Sequence, residues 1–389
     1  MSSSVSALAT APLIQWARLK AGLSLDQVAR KLQVTSERVA AWESGDSKPT
    51  VNQLRRFGRI VRRPLAFFYL PEPPNDFDAM RDFRRLAGAE PKPESPELLL
   101  AIREAHDRRS IALELLEELG ETADTQLPEL NLDADPESLS LLIRKHLGYD
   151  AATDGQWSSP YEALNFWRNA IESKGIIVLQ FGDVSRVEAR GFSLADLPLP
   201  VISINRSELP QARIFSLIHE LIHLTLNQGG LCDFVERQNS RYEEQHVEIF
   251  CNRVAGAVLV PLTDLLADRN LAEHRKGEAL DEANIRNIAR RFRVSREVIL
   301  RRLLISNKIT QQFYELKRAE YEAEKFSSPP GFAPPHTLAL SSAGTTFTDL
   351  VLRSYQQHHI TAADVAEYLN LRLKHLSLLE SSFSRRTLL

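Results

Sequence analysis

Hydrophobic residues follow a helical period near both ends of the chain and a strand-like period only in the middle. Over residues 12–70, apolar positions recur every three to four residues, as in the run LDQVARKL (25–32), and predict five short helices. Ser24 stands before that run as an N-cap, and Gly45 ends a later helix. The first part of the chain is therefore expected to be a small helical domain.

The period changes near residue 176. Short runs rich in β-branched residues, bounded by glycine, proline and asparagine, predict strands at 176–181, 187–194 and 199–204. A helical period returns at 210–227 and at 241–259. We expect a small sheet followed by two helices.

Further helical patterns and proline-rich joints complete the chain. Helices are predicted at 96–120, 136–150, 159–175, 283–305, 308–325 and 346–382. Linkers are predicted at 71–77, 89–97 and 327–335. The expected fold class is mostly α with a small β-sheet (α+β). The expected domains are a helical domain at 1–72, a linker and helical segment at 73–155, a domain with the sheet at 156–310, and a helical C-terminal domain at 311–389.

Composition indicates what kind of protein this is and in which compartment it occurs. The 389 residues are 43% hydrophobic, which is enough for two to four packed domains. Two cysteines, Cys232 and Cys251, do not make a disulfide framework and fit a reducing compartment. The N-terminus does not read as a secretory signal, and no run approaches 18 apolar residues. We expect a cytoplasmic protein with no membrane segment.

The stretch FSLIHELIHLTLN (215–227) carries the pattern H-E-x-x-H. On a helix, His219 and His223 lie on one face, so both imidazoles can bind one metal ion. Glu220 projects about 100° away from His219 and can act as the base that takes a proton from water. The apolar flanks indicate a buried helix, in which two histidines and a glutamate without partners would be costly. This cost favours a metal site over a plain core helix.

A catalytic zinc site needs a third protein ligand. The residues alone leave this ligand open among Glu243, Glu244, His246 and Glu248 on the following helix. The segment LPVISIN (199–205) is predicted to be an edge strand that could pair with an extended peptide. Cys232 could occupy the open metal position, although a loop thiol without a role is favoured.

Residues 155–305 resemble the ImmA/IrrE metallopeptidases. The resemblance rests on FSLIHELIHL and on VEIFCNRVAGAVLVP (247–261), which has the glutamate, asparagine, small residues and final proline of that family's second helix. It implies a zincin-like peptidase domain with Glu248 as third ligand, Glu244 as the fallback and Zn²⁺ as the ion. Mn²⁺ is also compatible with two histidines and a glutamate. Ile222 departs from the glycine that is common inside the motif.

The segment LSLDQVARKLQVTSERVAAWESGDSKPT (23–50) resembles the helix-turn-helix of XRE-type repressors. Ala29, Val34 and Trp42 carry the resemblance as scaffold residues, which implies a five-helix DNA-binding domain at the N-terminus. The candidate DNA contacts are Gln27, Ser36, Glu37, Arg38 and Ala41.

Charge supports the DNA prediction. Residues 1–70 hold eleven Lys and Arg against four acids, a net charge of +7. Because the whole chain has a net charge of −3, the remaining residues have a net charge of −10. Glu37 weighs against phosphate contact, unless its carboxylate accepts from a cytosine amine. The alternative is a basic helical domain that docks a protein.

Two later segments, 289–303 and 366–380, have a pattern similar to that helix-turn-helix, and we call them the two helix-turn-helix echoes. We interpret the first as core of the peptidase domain, and the second as a docking element for the substrate or for the chain itself. The expected function is a DNA-binding, zinc-dependent endopeptidase that cleaves a repressor or antitoxin-like protein. The alternative is a non-proteolytic XRE-type regulator or antitoxin whose peptidase-like domain only binds a partner. A homodimer is left open.

Overall fold

The computed structural model describes residues 6–73, 94–149, 157–228, 241–271, 274, 279–324 and 333–387. It has the fold class expected from the sequence, mostly α with one small three-stranded sheet among the described residues. These residues form two compact units, one reaching as far as Glu104 and the other running from Ala105 onward. The bounds of the four domains given above stay a prediction.

The first unit begins with four helices and a 3-10 turn. They are α1 (Ala11–Lys20), α2 (Leu25–Leu32), α3 (Ser36–Ser44), α4 (Val51–Val61) and the turn Leu65–Tyr69. A capping box starts α2, because Ser24 Oγ accepts from the Gln27 main-chain N and Gln27 Oε1 accepts from the Ser24 main-chain N, at 3.2 and 2.7 Å. These elements correspond to the five short helices predicted over residues 12–70.

A small apolar core and one buried ion pair hold this unit together. Val28, Val39 and Trp42 are at most 1% exposed in that core. Arg18 donates from Nε and Nη2 to the two carboxylate oxygens of Glu43, at 2.6 and 2.8 Å. This forked pair takes one positive and one negative charge into the interior, so the surface keeps its positive excess.

The second unit supplies the remaining elements; α5 starts in the first unit and runs on into the second. The helices are α5 (Pro96–Glu118), α6 (Pro136–His146), α7 (Pro160–Glu172), α8 (Pro210–Gln228), α9 (Arg241–Leu259), α10 (Leu262–Leu266), α11 (Glu282–Phe292), α12 (Arg296–Ile305), α13 (Gln311–Ala323), α14 (Pro335–Ala343), α15 (Thr345–Gln356), α16 (Ala362–Tyr368) and α17 (Leu376–Thr387). The strands are β1 (Ile177–Phe181), β2 (Gly191–Leu194) and β3 (Val201–Asn205).

The sheet has the order β1-β3-β2. Strand β3 pairs in parallel with β1 and antiparallel with β2, with Ser203 opposite both Leu179 and Phe192. The prediction that LPVISIN is an edge strand is therefore wrong, because β3 is hydrogen-bonded on both sides and has no edge to offer a peptide. Strand β2 lies at one edge of the described sheet.

Helices α8 and α9 pack against each other inside the main hydrophobic core, and α8 also packs on β2 and β3. Small residues on α9 allow close approach, since Ala255 and Ala257 are completely buried. Ile222, in the place where the resemblance leads us to expect glycine, is completely buried in the same core. The larger side chain is thus accommodated by packing.

The two helix-turn-helix echoes have different surroundings. The first forms α11 and α12, whose Ile288, Phe292 and Ile299 belong to the main core, as expected for a packing element. In the C-terminal part, α14 packs on β1, where the main-chain O of Ser341 accepts from Arg168 Nη2 and Gln180 Nε2, at 3.1 and 3.0 Å. The second segment includes the start of α17, and α17 packs on α14.

No helix in the described part of the chain has both the length and the apolar character needed to span a bilayer.

Candidate metal centre and nucleic-acid interface

Helix α8 carries polar chemistry into the protein interior. His219 is completely buried, and Glu220 and His223 are 2% and 7% exposed. The leucines and isoleucines around them, among them Leu217, Ile218 and Leu221, belong to the core. The apolar period of the sequence thus fixes how the helix packs, and packing places both imidazoles in an environment where each ring nitrogen needs a partner.

Glu248 on α9 meets both imidazoles. Its Oε2 lies 3.3 Å from His219 Nε2 and 3.3 Å from His223 Nε2, and the two Nε2 atoms lie 3.0 Å apart. The structure therefore brings together the three residues that were predicted as metal ligands. Within the described residues they form the one cluster of three His, Cys, Asp or Glu side chains suited to a cation.

The Glu248 carboxyl is held in its charged form. Burial raises its pKa, but the charge of His219 and hydrogen bonds from both imidazoles lower it more, and the net pKa lies well below the usual range. A deprotonated carboxylate is the form of glutamate that binds a divalent cation.

The donor set fits a divalent cation on geometric grounds. Ligands bound to zinc at 2.0–2.1 Å in a tetrahedron are separated from each other by about 3.3–3.4 Å. The triangle of His219, His223 and Glu248 has edges of 3.0, 3.3 and 3.3 Å, close to one face of that tetrahedron. Three protein ligands leave the fourth corner for water or substrate, as in catalytic rather than structural sites.

Glu220 faces strand β2. Its Oε2 accepts from Ser193 Oγ at 3.2 Å, and a Cβ placed on Gly191 would lie 3.1 Å from both Cγ and Oε1 of Glu220. Strand β2 thus fixes the carboxylate on two sides, with a hydrogen bond at one oxygen and close packing at the other. Ordinary side chains rarely approach at 3.1 Å, so a larger residue at position 191 would push against Glu220.

Sequence reasoning missed the contacts that hold the two glutamates. Ser193 and Gly191 were assigned only to a strand, and nothing local to that strand identifies Glu220 as its neighbour. Asn252 was noted in the α9 pattern without a role, yet its Nδ2 donates to Glu248 Oε1 at 3.0 Å. Its position four residues after Glu248 was a usable signal, because such pairs face each other on a helix.

Several other candidates are placed differently. The side chains of Glu243 and Glu244, the latter the fallback ligand, lie outside the described residues, as does Cys232. His246 is exposed on α9. Glu248 is therefore the ligand candidate of this helix that the described geometry supports.

In the first unit, α2 and α3 form a helix-turn-helix. Gln33 ends α2 with a φ of 60°, and the next main-chain N, of Val34, donates to Ala29 O at 3.0 Å. Ala29 is 3% exposed, and its small side chain lets α2 and α3 cross closely around the turn. The scaffold roles given to these residues agree with their positions.

The five candidate DNA contacts lie on or beside this motif. Gln27 is half-buried with its side-chain oxygen bound in the capping box, and Ser36 Oγ donates to Asp26. Hydrogen bonds from its own main-chain N and from Thr35 lower the pKa of the exposed Glu37, which therefore stays negative. Arg38 is exposed and Ala41 is half-buried.

Fold and site define a class of protein with two parts, a helix-turn-helix domain followed by a peptidase-like domain in which two buried histidines meet a partly exposed glutamate. Comparison with protein families finds the same two parts in the same order. Residues 14–68 match a helix-turn-helix family, and residues 174–304 match the IrrE N-terminal-like domain, a peptidase family. The resemblance to an XRE-type helix-turn-helix fused to an ImmA/IrrE-type domain is confirmed.

Comparisons with individual proteins add little. The search of curated proteins finds no match to this chain. Among solved structures, a Mycobacterium tuberculosis transcriptional regulator matches at 15% identity with a TM-score of 0.30, and the match covers 50% of this chain. This chain spans about half of that protein, 51% of its length, and a likeness at this level carries no argument about function.

Proposed function

We propose that this protein is a DNA-binding, zinc-dependent endopeptidase that cleaves a repressor or antitoxin-like protein and thereby controls transcription. The observation that carries the proposal is the triangle of His219, His223 and Glu248, whose edges match a zinc coordination face, with Glu220 next to it in sequence. Zn²⁺ is the ion proposed, and Mn²⁺ is compatible with the same donors.

The chemistry divides between the ion and Glu220. A divalent cation held by His219, His223 and Glu248 would acidify water and polarise a carbonyl oxygen. Glu220 takes the proton of the attacking water on its carboxylate and passes it to the amine nitrogen that leaves.

The substrate class rests on the combination of domains. A peptidase joined to a domain that binds specific DNA is concentrated where transcription regulators act, and the family resemblance implies a repressor or antitoxin-like substrate. A cytoplasmic location, expected from the two cysteines, remains a prediction.

The test is metal-dependent proteolysis. Bound metal is removed from the full-length protein with a chelator, and part of the sample is then reloaded with zinc. Both samples are incubated with the product of the neighbouring gene, and separately with total protein from the cells in which this protein naturally occurs. New N-termini, identified by mass spectrometry, should appear only with the reloaded protein. If no peptide bond is cut with metal bound, the second candidate function applies, a regulator or antitoxin that binds its partner without cutting it.

Arg38→Ala tests the DNA part of the proposal. Arg38 is exposed near the start of α3, and loss of one phosphate contact should weaken binding to all sequences and reduce the slope of log K against log salt by about one. A mobility-shift titration over several salt concentrations measures both effects. Arg318 is exposed on α13, and Arg318→Ala is the control that should leave the slope unchanged. An unchanged slope for Arg38→Ala would remove this residue from the interface.

Gly191→Ala tests the contact between β2 and Glu220. The added methyl would press on the Glu220 carboxyl at 3.1 Å, so we expect hydrolysis to fall by about 10²-fold, the lower end of what a misplaced general base costs. Zinc content should stay the same, because the three atoms nearest the added methyl belong to Glu220 and Ser203 and not to a candidate ligand. Gly256→Ala, whose Cβ would meet the Arg302 side chain at 3.3 Å and no atom of Glu220, is the matched control. Equal rates for both variants would contradict this role of β2.

A further inference from the structure

Asn252 lies one helical turn after Glu248 on α9 and makes two hydrogen bonds to it. Its Nδ2 donates to the main-chain O of Glu248 at 2.8 Å and to the side-chain Oε1 at 3.0 Å. Because a main-chain carbonyl can only accept, the first bond fixes which side of the amide carries the NH₂ group. The same NH₂ group therefore also faces the carboxylate.

The two oxygens of Glu248 consequently have different surroundings. Oε2 lies 3.3 Å from both imidazoles, whereas Oε1 is bound by the Asn252 amide. The Glu248 side chain is 29% exposed, so the core alone does not confine its carboxylate. The amide is a contact that defines the rotation of this group.

We propose that Asn252 is a positioning residue that makes Glu248 a ligand through one oxygen only and so keeps the fourth coordination position open. The inference rests on the proposed metal site. An Oε1 held by Asn252 would be turned away from an ion held by Oε2 and the two imidazoles, whereas a released carboxylate would be able to bind with both oxygens or to rotate away. Partners of this kind orient ligands in metalloproteins, and their loss typically weakens metal binding by about 10–100-fold.

A purely structural role of Asn252 in the helix accounts for only one of its two hydrogen bonds to Glu248. A polar side chain in a helix often bonds the carbonyl four residues earlier, and the 2.8 Å bond to Glu248 O is of that kind. Serine at position 252 can make that bond as well, but it is too short to bind the carboxylate at the same time. Serine therefore separates the main-chain contact from the contact to Oε1.

Two substitutions in the full-length chain test the proposal. Asn252→Asp keeps the shape and places a carboxylate oxygen against Oε1, and Asn252→Ser keeps only the main-chain bond. Asn287→Asp, exposed on α11, is the control for the added charge. Zinc affinity is measured by competition with a chromophoric chelator, and coordination number by the visible spectrum of the Co²⁺-loaded protein. Thermal unfolding of the metal-free proteins shows that each variant folds.

We expect Asn252→Asp to weaken zinc binding by about 10–100-fold. Both Asn252 variants should lose the intense visible bands of four-coordinate Co²⁺, and Asn287→Asp should match the wild type. Wild-type affinity and an unchanged Co²⁺ spectrum in both Asn252 variants would overturn the role of Asn252 while leaving the metal site intact. A wild-type protein that binds neither ion would overturn the metal site itself, and this inference with it.

Discussion

Glu220→Gln is expected to abolish peptide hydrolysis while the protein keeps its metal. Glutamine has the shape of glutamate but cannot take a proton from water, and general bases of this kind contribute about 10²–10⁴-fold to the rate. The three candidate ligands are untouched, and the amide can still accept from Ser193 Oγ. Cleavage should therefore fall by at least two orders of magnitude with zinc content unchanged.

The control for this prediction removes the same charge elsewhere. Glu315 is exposed on α13, and Glu315→Gln should leave both hydrolysis and metal content at the wild-type level. Rates are measured on the cleaved protein found by mass spectrometry, and zinc by elemental analysis of the same samples. Retained cleavage by Glu220→Gln would show that another group moves the proton.

His223→Ala has the second large effect, the loss of the metal ion. The substitution removes one of three donors, leaving His219 and Glu248 as an incomplete set. Loss of a residue that only hydrogen-bonds to a ligand weakens metal binding by about 10–100-fold, and loss of a ligand itself should weaken it more. Zinc should be lost on desalting, and hydrolysis should disappear with it.

His246→Ala is the matched control, since His246 is an exposed histidine on the helix that carries Glu248. It should keep the metal content of the wild type. If His223→Ala also keeps its zinc, the ion lies elsewhere; if His246→Ala loses zinc, the third ligand has been assigned to the wrong residue of α9.

The helices around the site could be predicted because their information is local. Predicted bounds of 210–227 and 241–259 compare with α8 at Pro210–Gln228 and α9 at Arg241–Leu259. The spacing of two histidines four residues apart, inside an apolar helix, was sufficient to place both imidazoles together. Glu248 required the family resemblance, since the residues alone left four candidates on the second helix.

Strand pairing and the contacts to Glu220 could not be predicted, because they depend on which distant segments of the chain meet in the fold. Strand β3 looked like an edge strand because pairing partners are not written into its own residues, and the structure places β1 and β2 on both sides of it. The contacts from Ser193 and Gly191 to Glu220 join residues nearly thirty positions apart, with no periodic signal between them. The helix at Pro335–Ala343 was also missed, because its proline-rich start reads as a linker, although proline suits the first turn of a helix.

The most direct test of the central claim is X-ray absorption spectroscopy on purified, zinc-loaded wild-type protein, combined with elemental analysis. The account predicts about one zinc ion for each chain, bound by two imidazole nitrogens and carboxylate oxygen at about 2.0–2.1 Å, with a further light-atom ligand at the open corner. A protein that retains no ion after desalting, or an ion without imidazole in its first shell, would contradict it.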